Sequence, residues 1–423
     1  MRYRFLPLLL LMIAWPASAA TFMHGPYACA PSETSVTINW LASAPVTGRV
    51  DYGRMDAFSA TGELPLTTPW VGPAPDTDAA ERRHVTLNDL DPNAEYAYRV
   101  VLQDETGDTA SRVGRFVTAP PPGQPVSFAV LADTQWQWEG VNRLEAVNDA
   151  IAADGTPFDF ILHAGDLVES PASPNWDHWF ASFDDMLRLT SFLPVLGNHE
   201  GNHRSYYDAF VLPPGEDKQD ERWWALHWGD VVIVGLDTNV TQAAKIIAQQ
   251  EWARLHLSGP EPHKIVMFHH PVFSSDAYHG SGYGYDKIYH PIFLECGVDL
   301  VINGHAHNYE RIRRDGLTYV VVGGGGAVPR EFADQCVEGS IRAIAGYNFY
   351  MRVLASQDGI HVEIVSVATA TDDTFELTDG HLLDAFTVGR ESVARQIMET
   401  LLVLCAIVGT AVTGWLVVRG FMR

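Results

Sequence analysis

The chain has 423 residues, 47% of them hydrophobic and 19% charged, which excludes a disordered tail and is too long for one ordinary core. A formal net charge of −24 excludes the basic face that a nucleic-acid partner needs. The same charge repels an anionic substrate unless something local, such as bound metal ions, reverses the field.

Residues 1–20 carry Arg2 and Arg4, an apolar run from Leu6 to Ile13, and then Ala17-Ser18-Ala19-Ala20. A basic start, a short apolar middle and small residues at the end predict a secretory signal peptide cleaved near Ala19 or Ala20. Residues 21–119 read as all-β. Over 35–40, Val36, Ile38 and Trp40 alternate with Ser35, Thr37 and Asn39, and further short runs lie at 48–52, 84–87, 96–102 and 114–118. Short strands at regular spacing predict a β-sandwich. Leu90-Asp91-Pro92 followed by Tyr96 and Tyr98 resembles the corner segment of a fibronectin type III domain. Residues 61–80, rich in Thr, Pro and Asp, read as a long loop.

Three consecutive prolines in the linker from Ala119 to Pro125 favour a stiff, extended path. Beyond it the pattern becomes α/β. Strands are predicted at 126–131, 158–162, 192–196, 231–236, 264–268, 300–302 and 318–322, with helices over 141–153, 176–189, 242–257 and 286–296. Extra strands at 350–354 and 360–367 carry this domain to about residue 370. Residues 371–395 are polar and read as a stalk. From Leu401 to Val418 no residue is charged, and Arg419 and Arg423 follow, which predicts one transmembrane helix over 397–418. The body of the protein is thus expected on the periplasmic or extracellular side, tethered by its C-terminus. Of four cysteines, Cys405 falls in that apolar stretch; one disulfide is possible among the rest, with Cys296–Cys336 the expected pair.

The polar residues that carry chemistry stand directly after apolar strands. Asp133 follows 128–132, Asp166 follows 160–165, Asn198-His199-Glu200 follows 193–197, His269-His270 follows 265–268, and His305 and His307 follow 301–304. In α/β sheets, ligands bind outside the carboxyl ends of strands. Five strand ends therefore deliver Asp, Asn and His, the donors that suit Zn, Fe and Mn. His305 and His307 are two residues apart, so on an extended segment they point the same way and can reach two adjacent metals. The Asp166 carboxylate has two oxygens and suits a bridge, and Asn198 supplies a neutral oxygen.

Taken singly, each residue has a plainer structural reading: helix cap, turn or packed core. His163, inside a strand, reads as a satisfied core histidine, His270 as packing or support, His203 as a candidate for the site's mouth, and His279 taken alone as a solvated loop histidine. Gly323 to Gly326 read as a tight chain path near the site. Trp136 and Trp138 suit either a substrate wall or simple packing.

Asp133-Thr-Gln, Gly165-Asp166-Leu-Val-Glu, Gly197-Asn198-His199-Glu200, Val266-Met-Phe-His269 and Gly304-His305-Ala-His307 are similar to the five ordered motifs of the calcineurin-like metallophosphoesterase superfamily. The β domain in front and Asn308-Tyr309-Glu310-Arg311 resemble its purple acid phosphatase branch. The resemblance covers about 21–370 and implies a four-layer β-sandwich flanked by helices, preceded by a fibronectin type III-like sandwich. It implies two metal ions, iron paired with zinc, manganese or a second iron. Asp133, Asp166 and His307 would hold the first, and Asp166, Asn198, His269 and His305 the second. It further implies His199 on the phosphate, Glu200 orienting His199, and His279 as proton donor to the leaving alcohol.

Two positions depart from the pattern. Glu169 stands where the branch has a metal-binding tyrosine, and Gln135 where the wider superfamily has a histidine. Either Gln135 or Glu169 completes the first site, or water does, and no purple charge-transfer colour is expected. The function so implied is hydrolysis of small phosphate monoesters by a metal-activated water. Phosphodiester or nucleotide-pyrophosphate hydrolysis is one alternative, and a non-catalytic, surface-tethered binding protein is another.

Overall fold

The computed structural model describes residues 19–70, 81–135, 143–213, 222–371 and 373–389. The predicted leader, apart from its last two residues, and the predicted 397–418 helix lie outside the described residues, as do Trp136 and Trp138. Among the described residues no helix is long and apolar enough to cross a membrane.

The N-terminal domain contains β1 (Phe22–Cys29), β2 (Val36–Ala42), β3 (Thr47–Arg54), α1 (Met55–Thr61), β4 (Leu66–Trp70), β5 (Glu81–Leu87), β6 (Glu95–Asp104), β7 (Gly107–Ala110) and β8 (Gly114–Val117). One sheet has the order β1-β2-β5; the other runs β4-β3-β6-β7, with β8 also on β6. Val36, Ile38 and Trp40 of β2 meet Val50, Tyr98, Val100 and Phe116 between them, so alternation in the sequence becomes a two-sheet sandwich. The Tyr96 hydroxyl accepts the backbone N–H of Asp91 at 2.9 Å, a tyrosine corner at the expected turn. The 61–80 segment is not all loop: β4 pairs there with β3, because Leu66 to Trp70 can lie opposite Tyr52 to Gly48.

The second domain contains β9 (Val126–Leu131), α2 (Arg143–Ala153), β10 (Phe160–His163), α3 (Ser173–Leu189), β11 (Ser191–Pro194), α4 (Arg204–Ala209), β12 (Trp224–Trp228), β13 (Val231–Gly235), α5 (Ala243–Leu257), β14 (His263–Met267), α6 (Tyr285–Ile288), α7 (His290–Cys296), β15 (Leu300–Asn303), β16 (Tyr309–Arg314), β17 (Leu317–Val322), β18 (Ser340–Ile344), β19 (Tyr347–Ser356), β20 (Gly359–Ala370), β21 (Phe375–Leu377) and β22 (Leu382–Val388). Two seven-stranded sheets form among the described residues. The first runs β11-β10-β9-β19-β20-β21, with β22 also on β20, and the second β12-β13-β14-β15-β17-β16-β18. Neighbours β9, β10 and β11 are parallel, as are β13, β14, β15 and β17.

Period-two alternation sorts the second sheet's side chains between two cores. Ile233, Ile265, Met267, Leu300 and Ile302 join the core they share with Phe128 and Phe160 of the first sheet. Val232, Val234, Val266, Phe268 and Val301 face Trp252 and Leu257 of α5 and Phe293 of α7. On the first sheet, α2 and α3 contribute Leu144, Val147, Trp176, Trp179, Phe180 and Phe183.

Three expectations need correction. The helix over 286–296 is broken at Tyr289 (φ −115°), because Pro291 at the start of α7 supplies no N–H to continue an upstream turn. The stalk assigned to 371–395 begins too early: β21 and β22 pair with β20, their polar residues facing solvent from an edge position. Cys296 and Cys336 are not joined to each other: each is a free thiol.

The proline-rich linker does not separate the domains. Tyr27, Cys29 and Ala119 belong to the α/β domain's core cluster. Arg188 of α3 donates to Val113 O at 2.6 Å, and Tyr27 donates to Ala209 O. His24, stacked on Phe180, bonds Asp177 Oδ1 and Arg82 Nη2, each at 2.7 Å. Burial and the Arg82 charge push the His24 imidazole down to about 4 from 6.5, against the pull of Asp177. The unfolded chain therefore takes up this proton first as pH falls. Urea unfolding at stepped pH should show stability lost between about pH 6.5 and 4, and His24→Gln should flatten that part of the slope.

Candidate metal centre

Both sheets deliver the site. Asp133, Asp166 and Asn198 leave the carboxyl ends of β9, β10 and β11, while His269, His305 and His307 leave those of β14 and β15. Asp133 (φ 59°), Asp166 (φ 56°) and His305 (φ 71°) adopt left-handed backbone, uncommon for residues with a side chain and a frequent mark of functional positions. The chain bends back at each, turning the side chain into the crevice. The flanking glycines permit close approach: a Cβ on Gly197 would lie 2.0 Å from Asp166 Oδ1, and one on Gly323 would lie 1.9 Å from Ala306 O.

Four of the predicted donors meet around His269 Nε2. Asp166 Oδ2 and Asn198 Oδ1 each lie 3.0 Å from it, and His305 Nδ1 lies 3.2 Å away. The outer nitrogens are tied back: His269 Nδ1 donates to Ala164 O at 2.9 Å, and His305 Nε2 bonds the Tyr283 hydroxyl at 2.7 Å. Such bonds leave the inner nitrogens as lone-pair donors facing a common point. Asp166, His269 and His305 are buried, whereas Asn198 is exposed and marks the open side.

Asp133 and His307 stand beside this cluster. His307 Nε2 is 3.7 Å from Asp133 Oδ1, and its Nδ1 donates to Val328 O at 3.0 Å. The His305 amide donates to Asp133 Oδ2 at 2.8 Å. Gln135 Nε2 lies 3.2 Å from His307 Nε2, while its own Oε1 is buried with no hydrogen-bond partner. A half-turn of that amide aims Oε1 at the space between His307 and Asp133. An orphaned buried oxygen beside a carboxylate and an imidazole fits a cation ligand, and so does the donor set as a whole.

The charges of the protein groups are mutually strained. Burial pushes the Asp133 carboxyl up to about 8, against the pull of His269. Burial would raise Asp166 too, but the charge and hydrogen bond of His269 bring it down to about 2. Burial would lower His269, yet Asp166 raises it to about 9. His305 is driven down by burial and by the His269 charge. A multivalent cation held by Asp166, His269 and His305 would relieve this conflict, since it takes the place of the His269 proton and balances the carboxylate charge.

His199 lies at the rim. Its amide donates to Asp166 Oδ1 at 2.9 Å, its Nδ1 donates to Glu169 O at 2.7 Å, and its Nε2 lies 3.8 Å from Asp166 Oδ2. Glu200 does not orient it. The Glu200 carboxylate instead accepts the backbone N–H groups of Asp166 (3.0 Å), Leu167 (2.8 Å), Val168 (3.1 Å) and Gly197 (2.8 Å). Its place at the third residue of a tight turn points it inward at those amides, so it is a positioning residue. His279 packs against His305, with ring centroids 4.0 Å apart and the rings tilted by 45°.

His163 is fully buried and bonded to Thr134 Oγ1 at 2.9 Å. His270 bonds Thr238 Oγ1 at 2.8 Å, and His203 caps α4 by accepting from the Ser205 amide. Sequence reasoning passed over Tyr283 and Arg330, which reach the site from loops without motif spacing.

Residues 126–309 match the family described as calcineurin-like phosphoesterase. The chain is 28% identical over 254 residues to purple acid phosphatase 1 of Ipomoea batatas, covering 55% of this chain and 52% of that protein. It is 26% identical over 266 residues to a purple acid phosphatase of Glycine max, covering 57% and 55%. The chain thus spans about half the length of the curated relatives it matches. A purple acid phosphatase structure from yellow lupin (Lupinus luteus) seeds superposes with a TM-score of 0.71 at 18% identity, over 87% of this chain and 75% of that one, which establishes a shared fold.

Glu200→Gln would turn an NH2 toward backbone donors and leave an N–H unsatisfied, a cost of roughly 1–3 kcal/mol. Elemental analysis should find less bound metal in this variant, and thermal unfolding a lower Tm. Unchanged metal content would refute the positioning role. The two sheets, the crevice at their carboxyl ends and the family match agree: over residues 126–309 the chain is similar to calcineurin-like phosphoesterases.

Proposed function

We propose that the chain hydrolyses phosphate monoesters at a binuclear metal centre. The observation that carries this reading is the convergence of Asp166, Asn198 and His305 donor atoms within 3.2 Å of His269 Nε2, beside Asp133 and His307. Asp166, Asn198, His269 and His305 would hold one ion. Asp133, His307 and Asp166 would hold the other, with the Gln135 oxygen in place of the family's usual extra ligand. The likeness to purple acid phosphatases supports iron with zinc, manganese or a second iron. Bound there, the metals would polarise the ester and supply an activated water.

The chain's own groups then divide the work. His199 keeps Nε2 directed into the site, since Nδ1 is committed to Glu169 O. Burial lowers its proton affinity, but the Asp166 carboxylate, the Glu169 carbonyl and the Glu169 and Glu200 charges together raise it above the ordinary imidazole value. A cation there stabilises charge growing on phosphoryl oxygens. His279, whose amide donates to Asp276 Oδ1 at 2.6 Å, is assigned the role of giving a proton to the leaving alcohol, a role that burial and the Arg330 charge confine to acid pH by lowering its proton affinity.

The strand order β1-β2-β5 facing β4-β3-β6-β7 and the Tyr96 corner support a fibronectin type III-like reading of the first domain, which braces the second. The leader-like residues 1–20 and the uncharged run from Leu401 to Val418 support export with a C-terminal membrane anchor.

Elemental analysis of the purified protein should find about two metals per chain. Turnover of 4-nitrophenyl phosphate should vanish with chelator and fall at least about 100-fold in Asp166→Asn. Metal-loaded protein with no phosphoester turnover would remove the hydrolase reading.

A further inference from the structure

Arg330 enters the site from the loop after β17. Its amide donates to His307 O at 2.9 Å, and Val328 O takes the His307 Nδ1 proton, so the 328–330 segment wraps one face of that imidazole. The guanidinium lies 5.1 Å over the ring of Tyr278, the neighbour of His279. His279 in turn packs on His305. Arg330 is therefore framed by His307 on one side and by the Tyr278-His279 turn on the other. Its charge reaches both imidazoles: after burial it is the next largest influence lowering His307 and His279.

This guanidinium is poorly satisfied by the protein. Arg330 Nη1 is buried with no hydrogen-bond partner, and no carboxylate among the described residues forms an ion pair with Arg330. A chain of net charge −24 has acidic groups to spare, and leaving a guanidinium N–H unpaired is costly. The stack on Tyr278 holds the group in place without using its in-plane donors. Those planar N–H groups match phosphoryl oxygens in geometry and in charge.

We infer that Arg330 is a specificity-determining residue that binds a non-bridging oxygen of a phosphate monoester at the metal centre. The inference rests on the hydrolase reading above and narrows it. A monoester presents three non-bridging oxygens and two negative charges, whereas a diester presents two oxygens and one charge. A cation dedicated to the additional oxygen therefore favours the monoester. It also offsets, at the point of binding, the repulsion that this acidic chain exerts on a dianion.

The test compares 4-nitrophenyl phosphate with bis(4-nitrophenyl) phosphate in wild type, Arg330→Met and Arg330→Lys, alongside calorimetric binding of inorganic phosphate to the metal-loaded proteins. Methionine keeps an apolar stem against Tyr278, and metal content and Tm report whether the fold is intact. Arg330→Met should lower monoester kcat/KM and phosphate affinity roughly 10- to 100-fold while diester turnover changes less than about threefold. Arg330→Lys should recover part of the loss, since it restores charge without the planar fork. Equal losses on both esters, or an unchanged monoester rate, would overturn the assignment of Arg330. A wild type that is metal-loaded yet turns over neither ester would instead overturn the hydrolase reading.

Discussion

The carboxylate of Glu200 accepts four backbone N–H groups from two different strand ends. Neither segment is regular structure, and at the end of a parallel strand the amides have no ladder to pair with. One buried anion closes that deficit and fixes the distance between the β10 and β11 loops. Asp166 is placed by the first loop and Asn198 by the second. His199 hangs from Asp166 through its own amide. The rim histidine, the exposed amide oxygen and the central carboxylate thus inherit their positions from a residue that faces away from substrate.

The opposite wall follows a different rule. His269, His305 and His307 come from the second sheet, and each has its far nitrogen engaged by Ala164 O, the Tyr283 hydroxyl and Val328 O respectively. Orientation there comes from hydrogen bonds on the back of each ring. Two of these partners are backbone carbonyls, which no substitution removes, while the third is a half-exposed tyrosine on a loop. The β16 strand immediately after His307 carries Glu310, whose carboxylate accepts from the Ser275 amide at 2.7 Å. The loop bearing His279 is thereby fastened to the sheet that bears His307, and the substrate rim is continuous with the ligand framework.

Much of this was legible in the sequence because parallel strands buried on both faces read as apolar runs and the ligands follow them directly. The seven predicted strands of the α/β domain each fall on an observed strand, to within one or two residues at most ends. Two strands were harder. β16, with Glu310, Arg311, Arg313 and Arg314, has too many charges to look like a strand until its two sheet neighbours are known. β1 contains Gly25 and Pro26 in mid-run, which reads as a turn, yet it pairs with β2 across register shifts. Within the site, the six donor positions were marked by order and spacing. Glu200 was noticed for its motif but not for its contacts, since the sequence does not say which amides lack partners. Arg330 and Tyr283 meet only because loops far apart in sequence close over the same crevice.

The contact between the two domains has a consequence for how such chains can recombine. β1 lies against α3, and Tyr27 and Ala119 complete a core whose remainder belongs to the α/β domain. His24 and Arg82 both cover the face of Phe180. A gene fusion that moved the α/β domain alone into another protein would carry a stripe of naked aromatic surface along α3, prone to sticking to other molecules. The exposed Pro121–Pro125 stretch can lengthen at little cost, because it runs between surfaces already joined. The pair of domains shares one core, so moving them together leaves none of this aromatic surface bare.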